Sequence, residues 1–434
     1  MLKLSDSLKA RYLCLQILFG VFKKRQTISQ ILENQFLGQI SYQEGDLARA
    51  ERVSNFIFGH LTGIDECINL YLKKNIKLEV RNIFRLVVAE AFIDESPDYA
   101  IVNSAVQLSK LNPVTNYVSG LVNAVSRKIV QNVRNGNHPL KPALNGTLRT
   151  YLVQIYPDSV IGRMEEIMSI REPIDITVKY KDDTNFWKEE LNAFELPTGS
   201  LRLGRNKKLS TLNGFNEGKW WVQGISSSIP VKLLGNIAGL EVLDLFSAPG
   251  GKAMQLISAG AKVTCLDDSL KRLKVLKQNL DRMNMKANVI CSDIHEFKTN
   301  RKYNIILIDA PCSSSGTLRK NMDMPHLFPV KRMADLLKIQ SEALKLAKSW
   351  VQKDGIILYC TCSLFPAEGE EQISQFLKMN PDWIQKVICA KSLNLEAKWV
   401  DKKGGLRLRP DYLFEFGGMD GFYAAILVKK TNKH

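Results

Sequence analysis

Two cysteines and an acid stand just beyond apolar runs in the C-terminal half of the chain. Asp309 closes the run that begins at Tyr303 and is followed by Ala310-Pro311-Cys312, and Cys362 follows GIILYCT (Gly355–Thr361). Upstream, Val242–Leu256 (VLDLFSAPGGKAMQL) reads as a buried strand, a Pro-Gly-Gly turn and a helix opening at Lys252. Parallel α/β sheets build cofactor sites this way: glycines let the backbone approach a ligand held beyond the carboxyl end of the strand. A phosphate-binding loop would need Gly five residues before Gly251 and Ser or Thr after Lys252. Phe246 and Ala253 stand there instead. A dinucleotide fingerprint fails as well, because Ala248, Pro249 and Gly250 occupy the turn. Asp244 near the strand end, followed by this turn, suits a cationic cofactor such as S-adenosylmethionine.

A lone cysteine is most often a small buried hydrophobe, and Cys14, Cys67, Cys265, Cys291 and Cys389 are read as packing. Two thiols at strand ends, one beside an acid, point to chemistry. Cys360, two residues before Cys362, raises a metal-ligand alternative. With five His and no second cysteine pair, no metal is expected.

The elements that must hold these groups alternate. A strand Ala261–Asp268 ends in acid about 20 residues after the glycine turn, where a doubly wound fold grips a ribose diol. Further strands end at Asp293, at Asp309 and at Cys362, with helical stretches between them such as Leu270–Arg282, whose Leu273, Leu276 and Leu280 share a face. That alternation predicts a parallel sheet over residues 231–434. Arg407, Arg409, the Gly417-Gly418 turn and the apolar run Phe422–Val428 read as a closing hairpin.

Residues 1–140 read as helical throughout, with apolar stripes at Leu13, Ile17, Leu18 and Val21, at Ile83, Leu86, Val87 and Phe92, and at Val102, Val106 and Leu108. Gly136–Gly146 is rich in Asn, Gly, Pro and Lys and reads as a linker. Residues 141–230 read as a small α/β module, with helices Leu148–Tyr156 and Ser159–Ile170 and a strand Asp175–Tyr180. Arg202, Arg205, Lys207 and Lys208 either track a phosphate backbone or form a solvated face. Trp220 and Trp221 either stack a base or pack in a core.

A net charge of +16 on 434 residues favours a polyanionic partner. No run of about 18 apolar residues appears, so no membrane span is expected. Asp6, Lys9 and Arg11 interrupt any apolar leader. Scattered free thiols suit a reducing compartment, and the chain is expected to be cytoplasmic.

SAPGGK (Ser247–Lys252), DAPCS (Asp309–Ser313) and TCS (Thr361–Ser363) resemble the signatures of the RNA 5-methylcytosine methyltransferases. Tyr99–Leu111 and Tyr117–Ile129 resemble a NusB-type RNA-binding domain, which narrows the likeness to the bacterial 16S ribosomal RNA cytosine-5 methyltransferases of type B (Sun/Fmu). The resemblance implies a multidomain α and α/β chain: an all-helical NusB-like domain, a small α/β RNA-facing module, and a Rossmann-like S-adenosylmethionine-dependent methyltransferase domain. It implies a monomer acting on small-subunit ribosomal RNA through a covalent cysteine–cytosine intermediate, with methylation of transfer RNA, or a non-catalytic assembly role, as the alternatives. It casts Cys362 as nucleophile, Cys312 as the group assisting release, Asp309 on the pyrimidine edge and Lys252 as its support. The cofactor would be held by Phe246, Ser247, Ala248, Pro249, Gly250, Gly251 and Lys252, by Asp267 on the ribose (with Asp268 as rival), by Asp293 near the adenine and by Asp309. Arg319 and Asp323 match the family in a segment expected to line the RNA entrance, with Met322 where a Pro is usual.

Overall fold

The computed structural model describes residues 4–35, 40–72, 75–93, 96–144, 146–170, 172–204, 208–327 and 330–430. They form two compact units, one of residues 1–170 with 318–328, the other of residues 171–317 with 329–434.

The first unit is helical. It runs α1 (Asp6–Lys24), α2 (Ile28–Gln35), α3 (Glu44–Gly59), α4 (Leu61–Asn69), α5 (Leu78–Ile93), α6 (Asp98–Leu111), α7 (Pro113–Asn116), α8 (Ser119–Arg134), α9 (Gly146–Leu152) and α10 (Asp158–Ser169). The stripe Leu13, Ile17, Leu18 and Val21 is wholly buried, as are Ile83, Leu86 and Val87, whereas Phe92 at the end of its stripe reaches solvent. Glu90 is buried between Arg11 and Arg49, at 2.8 and 2.9 Å. The Asn/Gly/Pro-rich stretch is held along its length. A His138 ring nitrogen meets the Gly63 carbonyl at 2.9 Å, and the amides of Ala143 and Leu144 donate to the Gly59 carbonyl and to Glu165. The two helices expected in the middle module therefore pack with this unit, as α9 and α10.

Residues 318–328 return to the same unit. Asp323, buried, accepts the Ile28 amide at 2.9 Å. His326 packs its ring against Phe22 and Phe58, with centroids 5.8 and 5.3 Å away. Within the segment expected to line the RNA entrance, the Asp323 carboxylate is thus spent on the start of α2.

The second unit carries two sheets. The small one orders β2 (Phe194–Glu195), β3 (Leu201–Leu203), β1 (Ile174–Val178) and β4 (Trp220–Val222), with α11 (Thr184–Glu190) inserted between β1 and β2. Trp220 and Trp221 are fully buried, which settles them as core. Arg202 does not track a phosphate: it is buried, bidentate to Asp175 at 2.6 and 3.0 Å, and donates to the carbonyls of Phe416 and Gly418. Lys208 is exposed, and Arg205 and Lys207 lie outside the described residues.

The large sheet orders β10 (Trp383–Lys386), β12 (Phe422–Lys429), β9 (Val351–Thr361), β8 (Tyr303–Asp309), β5 (Glu241–Leu245), β6 (Lys262–Asp267) and β7 (Asn288–Cys291), and β11 (Leu406–Leu408) pairs antiparallel with β12. β5 to β9 are parallel, while β12 runs against β9 and closes the expected hairpin. After α11 this unit carries α12 (Ile225–Lys232), α13 (Gly251–Ser258), α14 (Leu270–Arg282), α16 (Val330–Trp350) and, beyond β9, α17 (Glu370–Met379), while the short α15 (Met324–Leu327) belongs to the helical unit. Apolar side chains cover both sheet faces: Val242, Ile305, Leu307 and Leu358 fill one, Leu243, Ile306, Ile308 and Ile357 the other. Near-continuous apolar strands are what burial on both faces demands. The order reverses between β5 and β8, and such a switch point opens the crevice where open α/β sheets bind ligands.

Candidate active site

At the carboxyl end of β5 the backbone turns sharply. Phe246 takes a left-handed conformation (φ 59°), and Gly250 has φ 103°. A Cβ on Gly250 would meet Leu276 of α14 at 3.2 Å, so the residue is glycine for conformation and for space. The loop is clamped from the β6 side. Asp267 accepts the Ala248 amide at 3.2 Å, Arg272 donates to the Ala248 carbonyl, and Asn279 donates to the Pro249 carbonyl at 3.0 Å. Ser247 donates to Asp244 at 2.6 Å.

Next to this turn sit the reactive groups. Lys252, on the first turn of α13, reaches Asp309 at the end of β8 with a 2.7 Å ion pair, and its ammonium lies over the Phe422 ring at 5.0 Å. The lysine side chain is 9% exposed and the Asp309 side chain 36%, so the pair opens to solvent at the carboxylate. Cys312 and Cys362, carried by the loops after β8 and β9, bring their sulfurs to 3.4 Å. The Ser314 hydroxyl lies 3.6 Å from the Cys362 sulfur. Cys360 is buried, 3.7 Å from Asp309 and directed at the Ile308 carbonyl. Among the described residues no group of three His, Cys, Asp or Glu could hold a metal ion.

The thiols are unequal. The hydrogen bond with Cys312 lowers the pKa of Cys362 against the opposing effects of burial and of Asp309, and Ser314 and Lys252 add to the lowering. The same hydrogen bond holds Cys312 well above the ordinary thiol value, reinforced by burial and by the charges of Cys362 and Glu368. Burial works against a charge on Lys252, but Asp309 beside it keeps the ammonium above the usual lysine value. The arrangement is a pair of unequal thiols, Cys362 the more acidic, beside a cation–carboxylate pair, gathered at adjoining strand ends.

Phe246 to Lys252, Asp309, Cys312 and Cys362 therefore meet at one crevice. The other acids are disposed differently. Asp267 is buried, with its oxygens already on the amides of Ala248 and Ser269 and paired with Arg272 at 3.3 Å. Asp268 is exposed, and so is Asp293, which caps its own turn through the His295 amide at 2.8 Å. Cys291 and Cys389 are exposed, which corrects their reading as packing residues; Cys14, Cys67 and Cys265 are buried. Glu368, Gln340, Ser313 and Ser363, which knit the two cysteine loops together, carry no mark in the sequence beyond the adjacency of the two serines to the cysteines. The set suits a cationic ligand, since carboxylates outnumber cations at these strand ends and Asp309 opens to solvent.

The strand order, the glycine turn at the switch point and this acceptor-rich mouth define a Rossmann-like methyltransferase domain of the S-adenosylmethionine-dependent kind. Residues 233–428 match the family described as 16S rRNA methyltransferase RsmB/F, and residues 8–131 match the NusB family. The chain thus joins a domain similar to the RsmB/F methyltransferases to a helical unit similar to NusB. It is 29% identical over 345 residues to the ribosomal RNA small subunit methyltransferase B of Photorhabdus laumondii, covering 76% of each chain. The enzyme of the same name from Shewanella oneidensis is 26% identical over 443 residues, covering 97% of this chain and 99% of its own. The crystal structure of PH0851 shares the fold over 99% of this chain and 100% of its own, with TM-score 0.72 and 21% identity. NSun6 from Pyrococcus horikoshii, solved with SFG, aligns over 67% of this chain and 99% of its own, with TM-score 0.54 and 17% identity.

Proposed function

We propose that the chain methylates carbon 5 of a cytosine in small-subunit ribosomal RNA, with Cys362 as covalent catalyst. The observation that carries this reading is the pair of unequal thiols, 3.4 Å apart, at strand ends next to the Lys252–Asp309 pair. Carbon 5 of cytosine is a poor nucleophile; addition of a thiolate at carbon 6 makes it enamine-like. S-adenosylmethionine supplies an electrophilic methyl. The residues at its glycine turn would hold it, with Phe246 to Lys252 providing backbone contacts, Asp293 toward the adenine and Asp267 or Asp268 toward the ribose.

The Cys362 thiolate adds to carbon 6. Asp309, exposed enough to meet the pyrimidine edge, delivers a proton to N3 as the adduct forms, and the Lys252 ammonium beside it offsets the charge left on the carboxylate. After methylation the carbon 5 proton must leave and the carbon–sulfur bond must break. Bonding of Cys362 to carbon 6 removes the hydrogen-bond partner and the charge that raise the Cys312 pKa, so in the adduct Cys312 loses its proton to solvent and its thiolate then takes the carbon 5 proton as the carbon–sulfur bond breaks. A stacked base cannot reach such a crevice, so an unpaired or flipped cytosine is the substrate.

Incubation of Cys312→Ala with small-subunit ribosomal RNA and S-adenosylmethionine tests this on a denaturing gel. A slow-migrating protein–RNA adduct, absent with Cys362→Ala and with the double variant, is expected. An adduct with Cys362→Ala alone exchanges the two roles. No adduct in any lane, together with no methyl transfer by the wild type, removes the reading.

A further inference from the structure

The loops that carry the two thiols share one buried carboxylate. Glu368 lies in the short turn Pro366–Glu368 after β9 and has no solvent exposure. Its Oε1 accepts the Ser313 amide at 2.9 Å and the Gln340 side chain at 3.1 Å. Its Oε2 accepts the Ser313 hydroxyl at 2.5 Å and the Ser363 hydroxyl at 2.6 Å. An ionised carboxylate is acceptor-only with about four lone-pair sites, and here four donors fill them.

Ser313 and Ser363 each directly follow one of the two cysteines. Gln340 also donates to the Pro311 carbonyl at 2.9 Å, so α16 grips the Cys312 loop and Glu368 through one amide. Ser315 joins in, accepting the Leu364 amide at 2.9 Å, and the Gly316 amide donates to the Cys362 carbonyl at 2.9 Å. Arg407, paired with Glu370 at 2.5 Å, holds the Ser363 carbonyl.

We propose that Glu368 is a positioning residue that sets the spacing of Cys312 and Cys362 and assigns them unequal protonation. It joins the two loops directly behind their thiols, and it places a fixed negative charge on the Cys312 side. A negative charge in a low-dielectric pocket disfavours a second one nearby, so the proton of Cys312 is held more tightly than that of Cys362. This contribution of Glu368 accompanies the raised pKa of Cys312. Sequence alone does not reveal it, because nothing there shows that the glutamate is buried. The inference rests on the roles given to the thiols above, but the arrangement itself is measurable without RNA or cofactor.

The experiment is a pH titration of alkylation in the full chain, with iodoacetamide as probe and each cysteine followed by mass spectrometry. In Glu368→Gln the onset for Cys312 is expected to fall and that for Cys362 to rise, each by roughly one pH unit, and kcat to fall about 10²-fold with the KM values little changed. Onsets identical to wild type for both cysteines overturn the proposal, even if the melting temperature drops, because a merely structural role lowers stability without moving the titrations. Ser363→Ala keeps the charge and removes one strap, so it serves if Glu368→Gln does not fold. It is expected to raise the Cys362 onset, and an unmoved onset counts against the proposal. Shifted onsets in a protein that forms no RNA adduct would uphold the Glu368 role while removing the methylation reading.

Discussion

Asp244 is an acid that burial keeps protonated into the neutral range: its carboxyl is pushed from 3.8 up to about 7, eased only in part by the Ser247 hydroxyl. In the unfolded chain the same group ionises near 3.8. Between about pH 4 and 7 the folded protein therefore binds more protons than the unfolded one, and stability falls as pH rises through that window, by at most about 1.4 kcal/mol per pH unit. Asp244→Asn mimics the neutral acid and removes the titration. Thermal unfolding of both proteins from pH 4.5 to 7 is expected to show a flatter profile for the variant; parallel profiles would mean that Asp244 is ionised in the fold. At this scale the sequence singled out groups that the fold brings together and missed their supports. Cys312, Cys362, Asp309 and Lys252 stand out because strand ends and motifs mark them. Glu368 does not, since a glutamate in a Pro-Ala-Glu-Gly turn reads as a solvated helix start.

Arg202 shows what an element needs from a buried charge. Its guanidinium ties β3 to β1 through Asp175 and ties the small sheet to the carbonyls before β12. Asp175 also accepts the amide of Ile225 at 3.0 Å, which fixes the start of α12. Arg202→Ala leaves that aspartate buried without its cation and is expected to cost about 3–5 kcal/mol by denaturant titration, with no change in the salt dependence of RNA binding. A loss of RNA affinity without a loss of stability would return Arg202 to the phosphate-tracking role. The large sheet was legible because its strands are apolar on both faces and end in functional residues, and the hairpin because Gly417-Gly418 precedes an apolar run. The small sheet was less so: β2 and β3 are two and three residues long. Helices α9 and α10 were legible as helices, but their partners depend on contacts distant in sequence, such as Leu144 with Glu165.

The whole chain carries a net charge of +16. If that charge serves RNA binding, the logarithm of affinity falls linearly with the logarithm of salt concentration, by about 0.7 to 0.9 per phosphate contacted. Filter binding of small-subunit ribosomal RNA to the catalytically inactive Cys362→Ala chain is expected to give a slope steeper than about −3, equivalent to four or more phosphates. A flat response would make the charge a feature of solubility. No helix among the described residues is long and apolar enough to cross a membrane.

The helical unit is assembled from two separate stretches of chain, since residues 318–328 belong to it as much as residues 1–170 do. Its tertiary structure is therefore incomplete until translation has passed Leu327, long after α10 has left the ribosome. Until then the Ile28 amide lacks the Asp323 acceptor, and Phe22 and Phe58 lack the His326 ring. In the order of synthesis, completion of the helical unit therefore follows that of the Cys312 loop.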